Sequence, residues 1–190
     1  MSKLRIPTSP AWTQKVLAHF DAFLRDHASC ERKAAATAMS LVAHYTDKPV
    51  LIEHMVELAR EELEHFQQVF ALLRARNQPL GDDQKDDYVL ALRKHVRTGR
   101  NDHFLDRLVL GGIIEARGFE RFQLLSEALP DPTLQQFYTE FARAEARHAG
   151  LFFHLAKEYF PYSTVEARMS EFFEIEAEII SNLPIQAIMH

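Results

Sequence analysis

Cysteine is nearly absent from this 190-residue chain, and Cys30 is its only one. A single thiol builds neither a disulfide framework nor a thiolate metal site within one chain, and it fits a reducing compartment. Long apolar runs are also missing. No stretch approaches the ~18 uninterrupted apolar residues that read as a membrane-spanning helix. The opening MSKLRIPTSPAWTQ has no apolar core of the secretory kind. A cytoplasmic protein with no membrane partner is expected. Glycine and proline are sparse, six and eight residues, with most prolines at apparent helix ends. Charge of one sign is scarce too. The formal net charge is −5, so bulk electrostatics argue neither for nor against a polyanionic partner.

What is present is helical periodicity almost throughout. Ser9-Pro10 is a cap followed by proline at the first helical position. A first helix is predicted over Ala11–Leu24, with Trp12, Val16, Leu17 and Phe20 on one face. Further helices are predicted over Asp26–Tyr45, Pro49–Arg76, Tyr88–Arg97, Asp102–Ala128, from Pro132 to Tyr159, and over Thr164–Ile180. Four of these are long. Within each successive long pair the connection is short, which makes antiparallel neighbours. Roughly 25 residues separate the pairs, which makes one long crossover. The expected fold is therefore all-α: a ferritin-like four-helix bundle with one long crossover and extra N- and C-terminal helices. It is read as one domain over residues 1–190.

The chemistry lies in a repeated constellation. Glu62-x-x-His65 and Glu145-x-x-His148 each follow an earlier glutamate in a largely apolar helical stretch, Glu31 and Glu115. Glu31 to Glu62 is 31 positions and Glu115 to Glu145 is 30. Positions i and i+3 of a helix lie about 60° apart on one face, so each Glu and His of a pair can reach the same metal. Carboxylates bridge two cations, and an imidazole adds one neutral nitrogen to each. Mixed oxygen and nitrogen ligation suits iron or manganese, and zinc is not excluded. The bland alternatives are pairings along the helix: Glu31 with Arg32 or Lys33, Glu115 with Arg117 or Arg121. An ionised carboxylate on the face of Leu108, Ile113, Phe119 and Phe122 is costly unless something neutralises it. Glu57, Glu61, Glu64 and Glu140 are expected on solvated faces, and His19, His44, His54 and His154 at the surface or core edge. Gly111-Gly112 is open to two readings: close helix packing, or room beside the metals.

A second feature is the basic stretch from Arg93 to His103, with Arg93, Lys94, Arg97 and Arg100 inside eight residues. Phosphate-binding patches look like this, and so do solvated helix ends. Lys3, Arg5, Arg74 and Arg76 are candidates to extend it.

The segments CERKAA, EELEHF, IIEARGFERF and RAEARHAGLFFH, in this order and spacing, resemble the tRNA hydroxylase family that acts on 2-methylthio-N6-isopentenyladenosine at position 37. The resemblance covers nearly the whole chain. It implies a non-haem di-iron monooxygenase that hydroxylates the isopentenyl group with dioxygen and two electrons. It further implies two carboxylate-bridged iron ions held by Glu31, Glu62, His65, Glu115, Glu145 and His148. The implied partners are the tRNA anticodon stem-loop and an unidentified electron donor. Arg93, Lys94, Arg97 and Arg100 are then candidates to grip phosphates. A manganese catalase and an iron-binding or storage protein share the ligand pattern and stay open as alternatives. A rubrerythrin is excluded because its second iron site needs four cysteines.

Overall fold

A computed structural model of the chain describes residues 4–190, and Lys3 lies outside them. The described residues form seven helices and no strand: α1 (Pro10–Ala18), α2 (Phe20–His44), α3 (Pro49–Ala75), α4 (Asp87–Arg93), α5 (Arg100–Ala128), α6 (Pro132–Tyr159) and α7 (Tyr162–Asn182). They divide into two compact units. One comprises residues up to Gln14, Lys85–Ile185 and His190; the other comprises Lys15–Gln84 and Gln186–Met189.

In the second unit α2 lies along α3. The Ala34-Ala35-Ala36 run favours helix and keeps the α2 surface low. Phe23, Leu24 and Leu41 of α2 are buried, as are Leu51, Met55, Val69 and Leu73 of α3. Full burial of each such side chain is worth about 1.5–3 kcal/mol. Pro49 opens α3 at its first position. Its end is a Schellman turn. Asn77 takes φ 56°, Gln78 N–H donates to Leu73 O at 2.9 Å, and Asn77 N–H donates to Arg74 O at 3.0 Å.

In the first unit α5 lies along α6, and α7 packs on α4, α5 and α6. Asp131 caps α6 by accepting from Thr133 N–H at 2.8 Å, with Pro132 in the first turn. Asp86 caps α4 by accepting from Val89 N–H at 2.9 Å.

Of the boundaries that differ from the sequence expectation, three have a local physical reason. The first break falls at His19 rather than near Arg25, because His19 leaves the helical region at φ −133°, ψ 43°. No proline or glycine marks it. The short helix ends at Arg93 rather than Arg97, because Arg97 is drawn into a buried ion pair described below. The helix carrying Glu115 starts at Arg100 rather than Asp102, behind Gly99 at φ 98°, a left-handed conformation suited to glycine.

Candidate metal centre

On the α2–α3 pair, Glu31, Glu62 and His65 are 4%, 1% and 7% exposed, and each offers a ligand atom within 4.8 Å of the others. His65 Nδ1 lies 3.2 Å from Glu62 Oε2 and 3.5 Å from Glu31 Oε2. The Glu62-to-His65 step of three residues produces this approach on one face of α3. Burial alone would lower the His65 pKa, but the hydrogen bonds and charge of Glu31 and Glu62 more than offset it and raise it to about 10. Burial would likewise raise the Glu31 pKa, and hydrogen bonds from His27 and His65 outweigh it and lower it to about 2. Two buried carboxylates side by side are costly without a neighbouring positive charge, which the protonated His65 ring supplies here and a bound metal ion would supply in its place. This donor set of oxygens and one imidazole fits iron or manganese.

On the α5–α6 pair, Glu115 and His148 offer ligand atoms within 4.8 Å of each other and are 9% and 3% exposed. Glu145 is 4% exposed and precedes His148 by three residues on the same face of α6. The glycine pair of α5 is packing. A Cβ on Gly111 would lie 2.8 Å from Phe152 Cε1, and one on Gly112 would lie 2.7 Å from Phe153 Cδ1, so the two rings occupy the space that side chains would fill. Phe152 and Phe153 follow His148 by one turn, and the close approach places Glu115 opposite His148.

The cations next to these glutamates in sequence are engaged elsewhere. Arg117 is fully buried. It donates to Glu176 Oε1 through Nε at 2.9 Å and Nη2 at 2.7 Å, to Thr8 Oγ1 at 3.0 Å, to Ile6 O at 2.9 Å and to Glu120. Tyr88 O–H donates to the same Glu176 oxygen at 3.1 Å. The Arg121 guanidinium lies over the Trp12 ring at 4.9 Å. Arg32 pairs with Asp83, and Lys33 Nζ donates to Gln84 O at 3.0 Å. Glu57, Glu64 and Glu140 are exposed and Glu61 is half-buried; His19, His44 and His154 are exposed and His54 half-buried.

A cavity of about 610 Å³ lies on the same helix pair, lined by Leu4, Pro7, Ala116, Phe119, Ala149 and Phe153 among others, with Glu120 and Gln123 as its polar groups. Ala116, Ala146 and Ala149 border it and stand next in sequence to Glu115, Glu145 and His148. One helical step is a rotation of ~100°, so the cavity wall is the adjoining face of the same two helices. Arg117 holds the Ile6–Thr8 segment beside it.

The basic segment is exposed at Arg93, Lys94, Arg97 and Arg100. Arg97 is the exception in chemistry. Its Nη2 donates to Asp106 at 2.7 Å and its backbone N–H at 2.8 Å, and its Nη1 lies 3.1 Å from Asp102. Arg168 donates to Asp106 from the other side at 2.7 Å and to His95 O at 2.7 Å. Asp106 is fully buried, and these arginines hold its pKa below the usual range against the opposing effect of burial. Of the residues proposed to extend the patch, Arg5 pairs with Glu174 at 2.7 Å and Arg76 with Asp21.

Sequence reasoning missed His27, which is completely buried and lies 2.7 Å from Glu31. Its signal was the four-residue spacing before Glu31, which places both on one face.

The model of a family described as tRNA-(MS[2]IO[6]A)-hydroxylase (MiaE) matches residues 1–190. A tRNA 2-(methylsulfanyl)-N(6)-isopentenyladenosine(37) hydroxylase of Pseudomonas putida is 42% identical over 82% of this chain and 76% of its own. The protein of the same name from Salmonella typhimurium is 32% identical over 93% of this chain and 83% of its own. Among solved structures, a Synechococcus protein described as having aldehyde deformylating oxygenase activity matches with a TM-score of 0.94 and 37% identity, covering 100% of this chain and 96% of that one. The fold is thus the ferritin-like helical fold that the loop lengths predict.

Proposed function

The chain belongs to the MiaE family of tRNA hydroxylases, and from that premise we propose that it hydroxylates the isopentenyl side chain of 2-methylthio-N6-isopentenyladenosine at position 37 of tRNA. It is an oxidoreductase that consumes dioxygen, two electrons and two protons, leaving one oxygen in the product and the other in water. The observation that carries the reading is the recurrence of a buried glutamate-and-histidine set on each of the two antiparallel helix pairs. We propose that Glu31, Glu62 and His65 with Glu115, Glu145 and His148 serve one pair of iron ions, so that residues 1–190 act as a single catalytic domain. Two iron ions held by these residues would supply the activation of dioxygen that insertion into an unactivated C–H bond requires.

The chain's own residues do the rest. Four carboxylates offset the charge of two divalent cations, and two imidazoles complete the donor set. The apolar walls keep water from the reacting carbon. A prenyl group is slender and apolar, and the cavity beside α5 and α6 offers room for it while the tRNA body stays outside. Arg93, Lys94, Arg97 and Arg100 contact phosphates of the anticodon stem-loop. A separate cytoplasmic electron donor supplies the reducing equivalents.

The test uses iron-loaded protein, a reductant, air and tRNA from cells lacking this gene. Mass spectrometry of the digested tRNA should show one added oxygen on the prenylated adenosine, absent with Glu115→Ala. No added oxygen from a reducible, iron-loaded protein would overturn the hydroxylase reading in favour of a manganese catalase or iron-storage role.

A further inference from the structure

On the α2–α3 pair one further histidine is as inaccessible as the proposed ligands. His27 is 0% exposed and sits one turn before Glu31. Its ring lies 5.8 Å from that of Phe23, in surroundings where phenylalanine or leucine would pack without the cost of burying two ring nitrogens. Nε2 is 2.7 Å from Glu31 Oε1. A carboxylate oxygen accepts, so in this 2.7 Å contact the ring Nε2–H donates to Glu31. The other Glu31 oxygen, Oε2, is 3.5 Å from His65 Nδ1, and that nitrogen is 3.2 Å from Glu62 Oε2. Four buried side chains thus form one ordered row: His27, Glu31, His65, Glu62.

We propose that His27 is a positioning residue, whose Nε2–H anchors Oε1 of Glu31 and so aims Oε2 at the metal held by Glu31, Glu62 and His65. The inference rests on the metal reading above. A glutamate side chain has three rotatable bonds, and a ligand free to turn about them gives up entropy each time it binds. Glu31 gives up less, because one oxygen is already fixed. A hydrogen bond to a ligating group also sets which lone pairs face the ion, and such partners typically matter 10–100-fold in affinity.

Cobalt(II) is the probe, read by its visible absorption in a titration of the purified, metal-free protein. Wild-type protein should bind about two equivalents per chain. His27→Leu should weaken one of them roughly 10–100-fold and change the band shape, because Glu31 then meets the metal in a different geometry. His27→Gln, which keeps a buried N–H donor, should recover part of the loss. Should the leucine variant not fold by circular dichroism, His27→Phe keeps the ring and carries the same comparison. Wild-type binding with an unchanged leucine or phenylalanine variant overturns the inference alone. Wild-type protein that takes up no cobalt overturns the metal reading itself.

Discussion

Glu115 shows how much one side chain can be asked to do. It is a buried carboxylate on a helix whose Leu108, Ile113 and Phe122 are buried too, and Arg117, two residues on, is committed to Glu176 and Glu120. Glu115→Ala should abolish stoichiometric iron binding and hydroxylation while leaving the helical circular dichroism unchanged; full iron occupancy would remove it from the ligand set. Gly112 makes a demand of the opposite kind. Gly112→Ala forces the Phe153 ring from its seat and should cost about 1–3 kcal/mol, measured as a shift in the urea midpoint. The two Glu-x-x-His pairs were legible in the sequence because a repeated spacing exceeds chance. His27 was not, because a lone histidine on an apolar helical face looks the same whether it packs or positions. The glycine pair was legible as a feature but not as a function, since only the placement of Phe152 and Phe153 separates packing from open space.

At the scale of elements, loop length carried the topology. Short connections within pairs and a long one between them are readable from composition alone, and three of the four long helices are found where periodicity placed them, whereas α2 begins at Phe20 rather than Asp26. The crossover was harder. Its local sequence, RKHVRTGR, continues a helical and basic pattern past Arg93, whereas a buried acid nine residues downstream from Arg97 stops the helix. Asp106 receives both Arg97 and Arg168, and no local rule announces such a tertiary pairing. Removing the charge with Asp106→Asn leaves Arg168 buried beside a weaker acceptor and should cost about 3–5 kcal/mol. The pH dependence follows from sign. The folded-state pKa of Asp106 is depressed, so its stabilisation is present above the unfolded value of about 3.9 and is lost as pH falls below it. Urea unfolding compared at pH 7 and pH 3 should therefore lose stability, and Asp106→Asn should lose less over the same interval.

For the whole molecule, near-balanced charge means that any attraction to tRNA has to be local. Arg93 and Lys94 are exposed. Arg93→Ala with Lys94→Ala should weaken tRNA binding and reduce the slope of log affinity against log salt by roughly two, read from binding isotherms at several salt concentrations. An unchanged slope would take both residues out of the interface. Arg97→Ala should differ in kind, lowering stability as well, because its guanidinium is part of the Asp106 cluster. The phosphate-binding reading of the segment came from composition, which counts charges but does not reveal which of them are already spent on the fold.

The Ile6–Thr8 segment held by Arg117 has a practical side. Leu4 and Pro7 form part of the cavity wall, so the position of this segment sets the shape of the cavity. At the other end, His190 accepts a role in the structure too, lying 3.0 Å from Asp86 and stacked on Tyr88 at 5.3 Å. Leu4, Pro7 and His190 are therefore working parts of the fold, and substitutions at them should be expected to change the cavity or the α4 contacts rather than to be silent.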